Sequence, residues 1–190
     1  MAKKERAQEP KKRLVLVRVR GEVHIKKDIA DTLEMLHLKR ANACSIVDNR
    51  PEYLGMVKKV KDYIAWGELD ESTLSGLLSK WARKAADKRL SAEDLKKKKF
   101  ASFEDFAKKF VTFDAELSDL DIKPTFRLHP PTKGFARAGI KVAYTQGGVL
   151  GYQGAKINSL IATMAGLKER GQKKKTSKPK SQTKETVKKQ

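Results

Sequence analysis

The chain has 190 residues, enough for one compact core with appended segments and too few for two full-sized cores. Its 43 Lys and Arg against 23 Asp and Glu give a formal net charge of +20, which points to a polyanionic partner, either nucleic acid or an anionic membrane surface. The membrane is excluded as a partner: no apolar run approaches the roughly 20 residues that span a bilayer, and the opening MAKKERAQEPKKR lacks the apolar segment of a secretory signal. A soluble intracellular protein is expected.

The single cysteine, Cys44, rules out an intrachain disulfide and cannot by itself form a zinc site. It lies in the apolar stretch ACSIV and reads as a buried structural thiol. His24 and His37 lie in neighbouring segments, but no catalytic signature joins them to it. Neither a metal nor a cofactor is expected.

The charge is concentrated at the ends. Residues 1–13 carry six basic and two acidic side chains and residues 168–190 carry ten and two, so the ends hold twelve of the twenty net positive charges. In the last segment Val187 is the only aliphatic side chain, which leaves almost nothing to bury against the entropy of ordering it. The expected organisation is a basic N-terminal tail over 1–12, an α+β core over 13–69, a helical extension over 70–167 packing on that core, and a disordered Lys-rich tail over 168–190.

In RLVLVRVRG, Val15, Val17 and Val19 alternate with Leu14, Leu16, Arg18 and Arg20, predicting a strand with a partly basic outer face. Ile29, Leu33 and Leu36 then recur at helical spacing, with Lys39 and Arg40 at the end where the helix dipole favours cations. The short, partly β-branched NACSIVDN predicts a second strand. Pro51 suits the first turn of a second helix, whose apolar face runs through Tyr53, Val57, Val60 and Ile64 to Trp66 and which Gly67 ends. Strand, helix, strand, helix predicts a small α+β sandwich with both helices on one sheet face.

From Asp70 to about Asp121 the spacing predicts two or three short helices, with capping-box starts at SAED (Ser91, Asp94) and SFED (Ser102, Asp105). Leu74, Leu77, Leu78 and Trp81 form one apolar stripe. Phe103, Phe106, Phe110 and Phe113 form another, read as core in preference to a base-stacking surface. In FRLHPP, Phe126 and Leu128 alternate with Arg127 and His129 in a short strand that the prolines end. GIKVAYTQGG predicts another strand, and Ile157, Leu160, Ile161 and Met164 predict a terminal amphipathic helix.

GGVLGYQG before that helix invites a phosphate-loop reading, but it lacks a Walker Lys-Ser/Thr and the spacing of a dinucleotide fingerprint. A turn packing Tyr152 is favoured, with contact to an RNA backbone second and nucleotide binding last. The pairs Glu104/Asp105 and Asp119/Asp121 suit helix caps and solvated faces better than acid–base catalysis. FRLHPPTKGFARAG presents Arg127, His129, Lys133 and Arg137 from a loop stiffened by Pro130 and Pro131, so its charge would reach phosphates at low ordering cost. A solvated charged loop is an equal alternative there.

The order of LVLVRVRG, KDIADTLEMLHLKRANACSIVDN, YLGMVKKVKDYIAWGEL, FRLHPPTKGF and GGVLGYQGAKINSLIATM resembles the large-subunit ribosomal protein family numbered thirty, in its longer archaeal form; the eukaryotic cytosolic relatives are numbered seven. The resemblance implies a ferredoxin-like core, a small antiparallel sheet with two helices on one face, and a helical extension. It also implies a cytoplasmic seat on large-subunit rRNA close to the small rRNA of that subunit, beside neighbouring ribosomal proteins, with no catalysis and no homo-oligomer. Family-like RNA contacts map onto Arg18, Arg20, Lys26, Lys27 and Arg40 around the first strand and helix, onto the turn through Arg50, Tyr53, Gly55 and Met56, and onto Arg127, His129 and Lys133 in the proline loop. Lys39, Lys58, Arg137 and Tyr152 are further candidate RNA-binding residues. After Leu167 the chain departs from archaeal relatives, which commonly lack its Lys-rich tail, and it also lacks the long basic N-terminal extension of eukaryotic ones. A basic nucleic-acid-binding or annealing protein acting outside the ribosome is the alternative of another class. An enzyme of nucleic-acid metabolism has no active-site signature here.

Overall fold

Every residue of strand β1 (Arg13–Arg18) is buried, because the sheet it centres is covered on both faces. The structure is a computed structural model, and it describes residues 12–84, 87–98, 100–135 and 138–167; both predicted tails beyond Lys12 and Leu167 lie outside them. Helix α1 (Lys27–Met35) and strand β2 (Ala43–Asp48) form where predicted, but α1 stops at Met35, so Lys39 and Arg40 lie in the loop before β2 and not at the expected helix end. Helix α2 (Pro51–Lys59) has Pro at its start, where the missing N–H costs no hydrogen bond.

The predicted continuation of α2 to Trp66 is corrected. The helix stops at Lys59, a turn in which the Tyr63 amide donates to the Val60 carbonyl (2.9 Å) reverses the chain, and Ile64–Glu68 form strand β3. β3 pairs antiparallel with β1, Leu16 opposite Trp66 and Arg18 opposite Ile64. Gly67 therefore ends no helix. A Cβ there would lie 2.1 Å from the Gly154 carbonyl oxygen, so glycine is needed to let the later chain close onto β3.

Helices α3 (Glu71–Trp81), α4 (Ala92–Lys97) and α5 (Phe103–Val111) form the predicted helical stretch. Ser102 Oγ accepts from the Asp105 amide (3.2 Å), and the Ser91 amide donates to Asp94 (3.2 Å), so both predicted caps are made. Strand β4 (Thr125–Arg127) pairs antiparallel with β2. GIKVAYTQGG does not form the expected strand: it turns back on itself through a 3-10 turn at Tyr144–Gln146, making a single bridge between Ala143 and Leu150. Gly147 at φ +86° makes the reversal, and Val142 crowds Gly148 too closely for any Cβ. Strand β5 (Gly151–Tyr152) then pairs parallel with β3, and helix α6 (Ile157–Met164) closes the fold.

The sheet order is β4-β2-β1-β3-β5, antiparallel except where β5 joins, and the class is α+β as expected. Leu14 and Leu16 pack under α1 and α2 with Leu33, Leu36, Val57 and Val60. Val15, Val17 and Cys44 point the other way, into a larger core with Leu74, Leu77, Phe106, Phe110, Phe126, Ile157 and Ile161. The phenylalanine stripe thus packs as core at Phe106 and Phe110, which are buried at about 1.5–3 kcal/mol each, with Phe103 and Phe113 half-buried at its ends. Helices α1 and α2 cover the face of β1 expected to be outer and basic, and α3, α5 and α6 cover the other.

Candidate nucleic-acid interface

Three chain segments meet at the end of the sheet where β1 leaves and β2 and β3 enter. Arg18 pairs with Ile64, Val17 with Cys44, and Ala43 with Arg127, so these positions share one level. The loop before β2 is fastened to β4 by the Thr125 hydroxyl donating to the His37 carbonyl (2.9 Å) and the Leu128 amide donating to the Asn42 carbonyl (3.1 Å). Arg20, Lys39, Arg40, Arg127 and His129 are thereby gathered on one rim.

Arg18 belongs beneath that rim and not on it, which corrects its expected exposure. It is 2% exposed, and its guanidinium donates to the carbonyls of Leu38 (2.8 Å), Lys39, Arg20 (2.9 Å) and Gly21 (3.1 Å). Burial holds its pKa below the ordinary arginine value, and Glu22 at 3.6 Å partly offsets that. These bonds tie the loop after β1 to the loop before β2. Arg18 positions the rim's backbone, and its burial keeps its guanidinium from a phosphate in solvent.

The others differ in how firmly they are held. Half-buried Arg20 lies over the Tyr63 ring at 4.8 Å and donates to the Asp62 carbonyl (3.2 Å). Lys39 is exposed and pairs with Glu34 at 2.5 Å, while Arg40 is exposed with no ion pair among the described residues. Arg127 is exposed, and its charge helps hold the nearby Asp87 carboxyl below the usual range, an effect due first to Lys123, which donates to it at 2.9 Å. The proline loop is anchored from below: the His129 ring meets Trp81 edge-on at 4.9 Å, its amide donates to the Met164 carbonyl (3.3 Å), and Pro131 is buried. Lys133 is exposed on that anchored loop, and Arg137 lies outside the described residues.

The remaining predicted contacts lie elsewhere. Arg50 is exposed beside Asp48 (3.0 Å) at the opposite end of the sheet, since Asp48 pairs with Arg13 at the start of β1. Half-buried Tyr53 follows it, and Lys58 is exposed further along α2. Lys26 and Lys27 are exposed at the start of α1. Gly55 and Met56 line a groove between α1 and α2 together with Asp28 and Asp31, whose carboxylates repel phosphate. Tyr152 stands on the far edge strand, 53% exposed and 6.3 Å from the Trp66 ring. Trp66 was outside the predicted contacts, because its apolar neighbours continue the helical spacing of α2.

The glycine segment has a structural use. The Asn158 amide donates to the Glu68 carbonyl (2.9 Å) and its oxygen accepts from the Asp70 amide (3.2 Å), while the Gln153 amide donates to the Trp66 carbonyl (2.8 Å). The segment seats α6 on β3, and the short 3-10 turn at Gly154–Lys156 precedes the helix. Among the described residues no cluster of His, Cys, Asp or Glu could hold a metal ion, and no helix is long and apolar enough to cross a membrane.

The family model described as ribosomal protein L30p/L7e matches residues 14–64, from β1 to the first residue of β3. Large ribosomal subunit protein uL30 of Nanoarchaeum equitans is 49% identical over 146 residues, covering 77% of this chain and 94% of the relative. The proteins of the same name from Methanococcus maripaludis and Methanopyrus kandleri are 47% and 45% identical, covering 78% and 77% of this chain and 97% and 99% of theirs. These matches reach well beyond the β1–α2 segment to most of the chain, extension included, and the chain belongs to the L30p/L7e family of large-subunit ribosomal proteins.

Proposed function

We propose that the protein is a structural, non-catalytic constituent of the large ribosomal subunit, held on rRNA by the rim formed by Arg20, Lys39, Arg40 and Arg127 and by Lys133 on the proline loop that follows β4. The observation that carries this reading is the convergence of the four rim charges on hydrogen-bonded elements at one end of the sheet, on a chain of net charge +20. Cations fixed by folded structure meet phosphates with little further loss of freedom, and arginine can grip a phosphate through two parallel hydrogen bonds. Arg50, Lys26, Lys27 and Lys58 are secondary phosphate contacts in this reading. The seat is close to the small rRNA of the subunit and beside other ribosomal proteins, in the cytoplasm. Sedimentation after a high-salt wash tests it: the protein stays with large subunits. Quantitative release into the supernatant would instead mark a loosely bound annealing factor.

A further inference from the structure

Tyr152 is a large aromatic side chain left half in solvent on a two-residue edge strand, and its hydroxyl bonds to no other described residue. It is the register partner of Trp66, so both rings project from the α1/α2 side of the sheet, 6.3 Å apart and inclined at 48°. Beside them runs an open groove of about 580 Å³ with Leu54 on its apolar wall and Lys12, Asn49 and Glu68 at its polar end. The Asn49 carboxamide has no hydrogen-bond partner among the described residues, and Glu68 Oε1 accepts from Lys12 at 2.9 Å, leaving Oε2 as an acceptor.

We propose that this groove receives one unstacked nucleobase of rRNA, stacked on Tyr152 with its polar edge toward Asn49 and Glu68. The proposal rests on the rRNA-binding reading above and adds a site at the end of the sheet away from the rim. A phosphate site is built from cations and N–H or O–H donors, and the Glu68 carboxylate would oppose a phosphate here. A base edge carries both donors and acceptors, which an amide and a carboxylate together can match, and its flat face suits an exposed ring.

The test uses the full chain and protein-free large-subunit rRNA in filter-binding titrations across a range of salt, with ultraviolet crosslinking mapped by mass spectrometry. Tyr152→Ala should weaken binding about fivefold to a hundredfold at every salt concentration without changing the salt slope, since no phosphate contact is lost. Tyr152→Phe, which keeps the ring, should bind within about twofold of the unaltered chain, and the unaltered chain should crosslink at Tyr152 or Trp66. Tyr152→Leu keeps an apolar group without a stacking face and should lose affinity like the alanine variant, so the test holds even where Tyr152→Ala destabilises the fold. Equal binding by the leucine variant and the unaltered chain overturns the proposal while leaving the rim intact as the docking surface. A loss seen only in assembled subunits, and never on bare rRNA, also overturns it and assigns the groove to a neighbouring protein. If the unaltered chain fails to bind rRNA at all, the functional reading falls with it.

Discussion

Arg18 and Arg20 lie two residues apart at the same end of β1 and are used in opposite ways. The first is folded into the sheet end, donating to four backbone carbonyls, and the second rests half-exposed on the Tyr63 ring. Arg13 repeats the interior pattern at the other end of the strand. It pairs with Asp48, donates to the Phe110 carbonyl (3.2 Å) and lies over the Phe110 and Phe113 rings at 4.3 and 4.0 Å, fastening α5 to the sheet. In so basic a chain, charge alone does not identify the surface that faces RNA. Some arginines hold loops and helices together, and the proposed RNA-facing surface consists of those that remain outside.

This contrast sets the order of expected effects. Arg13→Ala or Arg18→Ala strands buried partners, and each should cost about 3–5 kcal/mol in urea unfolding. A loss under about 1 kcal/mol at either position would erase the distinction between interior and rim. Gly67→Ala forces a Cβ against the Gly154 carbonyl and should cost about 1–3 kcal/mol by loosening the seat of α6, measured in the same way. Replacing Arg20, Arg40, Arg127 and Lys133 together with Ala should leave urea stability within about 1 kcal/mol. The same change should lower the magnitude of the slope of log K against log salt by about 3, at roughly 0.7–0.9 per phosphate.

Cys44 should show the smallest effect. Burial pushes its thiol up to about 12, so the folded state resists ionisation that the unfolded chain undergoes near 9. The sign follows: its contribution is intact below pH 9 and is lost as pH rises toward 12, at about 1.4 kcal/mol per pH unit. Cys44→Ala should cost about 1 kcal/mol at pH 7 and remove that part of the alkaline loss, visible as a shallower decline in stability above pH 9.

Elements with one clear period were legible in the sequence: β1, α1, β2, α3, α5 and α6, and the caps at Ser91 and Ser102. β3 was not, for a physical reason. Ile64 and Ala65 are buried on opposite faces of a doubly covered sheet, so no polar alternation marks the strand, and Ile64 continues the helical spacing of Val57 and Val60. The same double cover hid the fate of Arg18, which alternation placed on an outer face that the tertiary packing removes. GIKVAYTQGG has strand-like composition, but the reversal at Gly147 and Gly148 leaves it no ladder to join. The proline loop was legible because Pro130 and Pro131 bracket its charges, whereas the groove at Trp66 depends on β5 and could not be read before the sheet order was known.

On the proposed function, the folded rim, and not the Lys-rich segment after Leu167, selects the docking site. Chemical footprinting on large-subunit rRNA tests it most directly, comparing the chain cut after Leu167 with the full chain carrying Ala at Arg20, Arg40, Arg127 and Lys133. The truncated chain should bind more weakly with an unchanged footprint. The fourfold variant should lose the specific footprint while its ten C-terminal basic side chains keep a weak, salt-sensitive attachment. A footprint that survives the fourfold change and disappears with the truncation would contradict it.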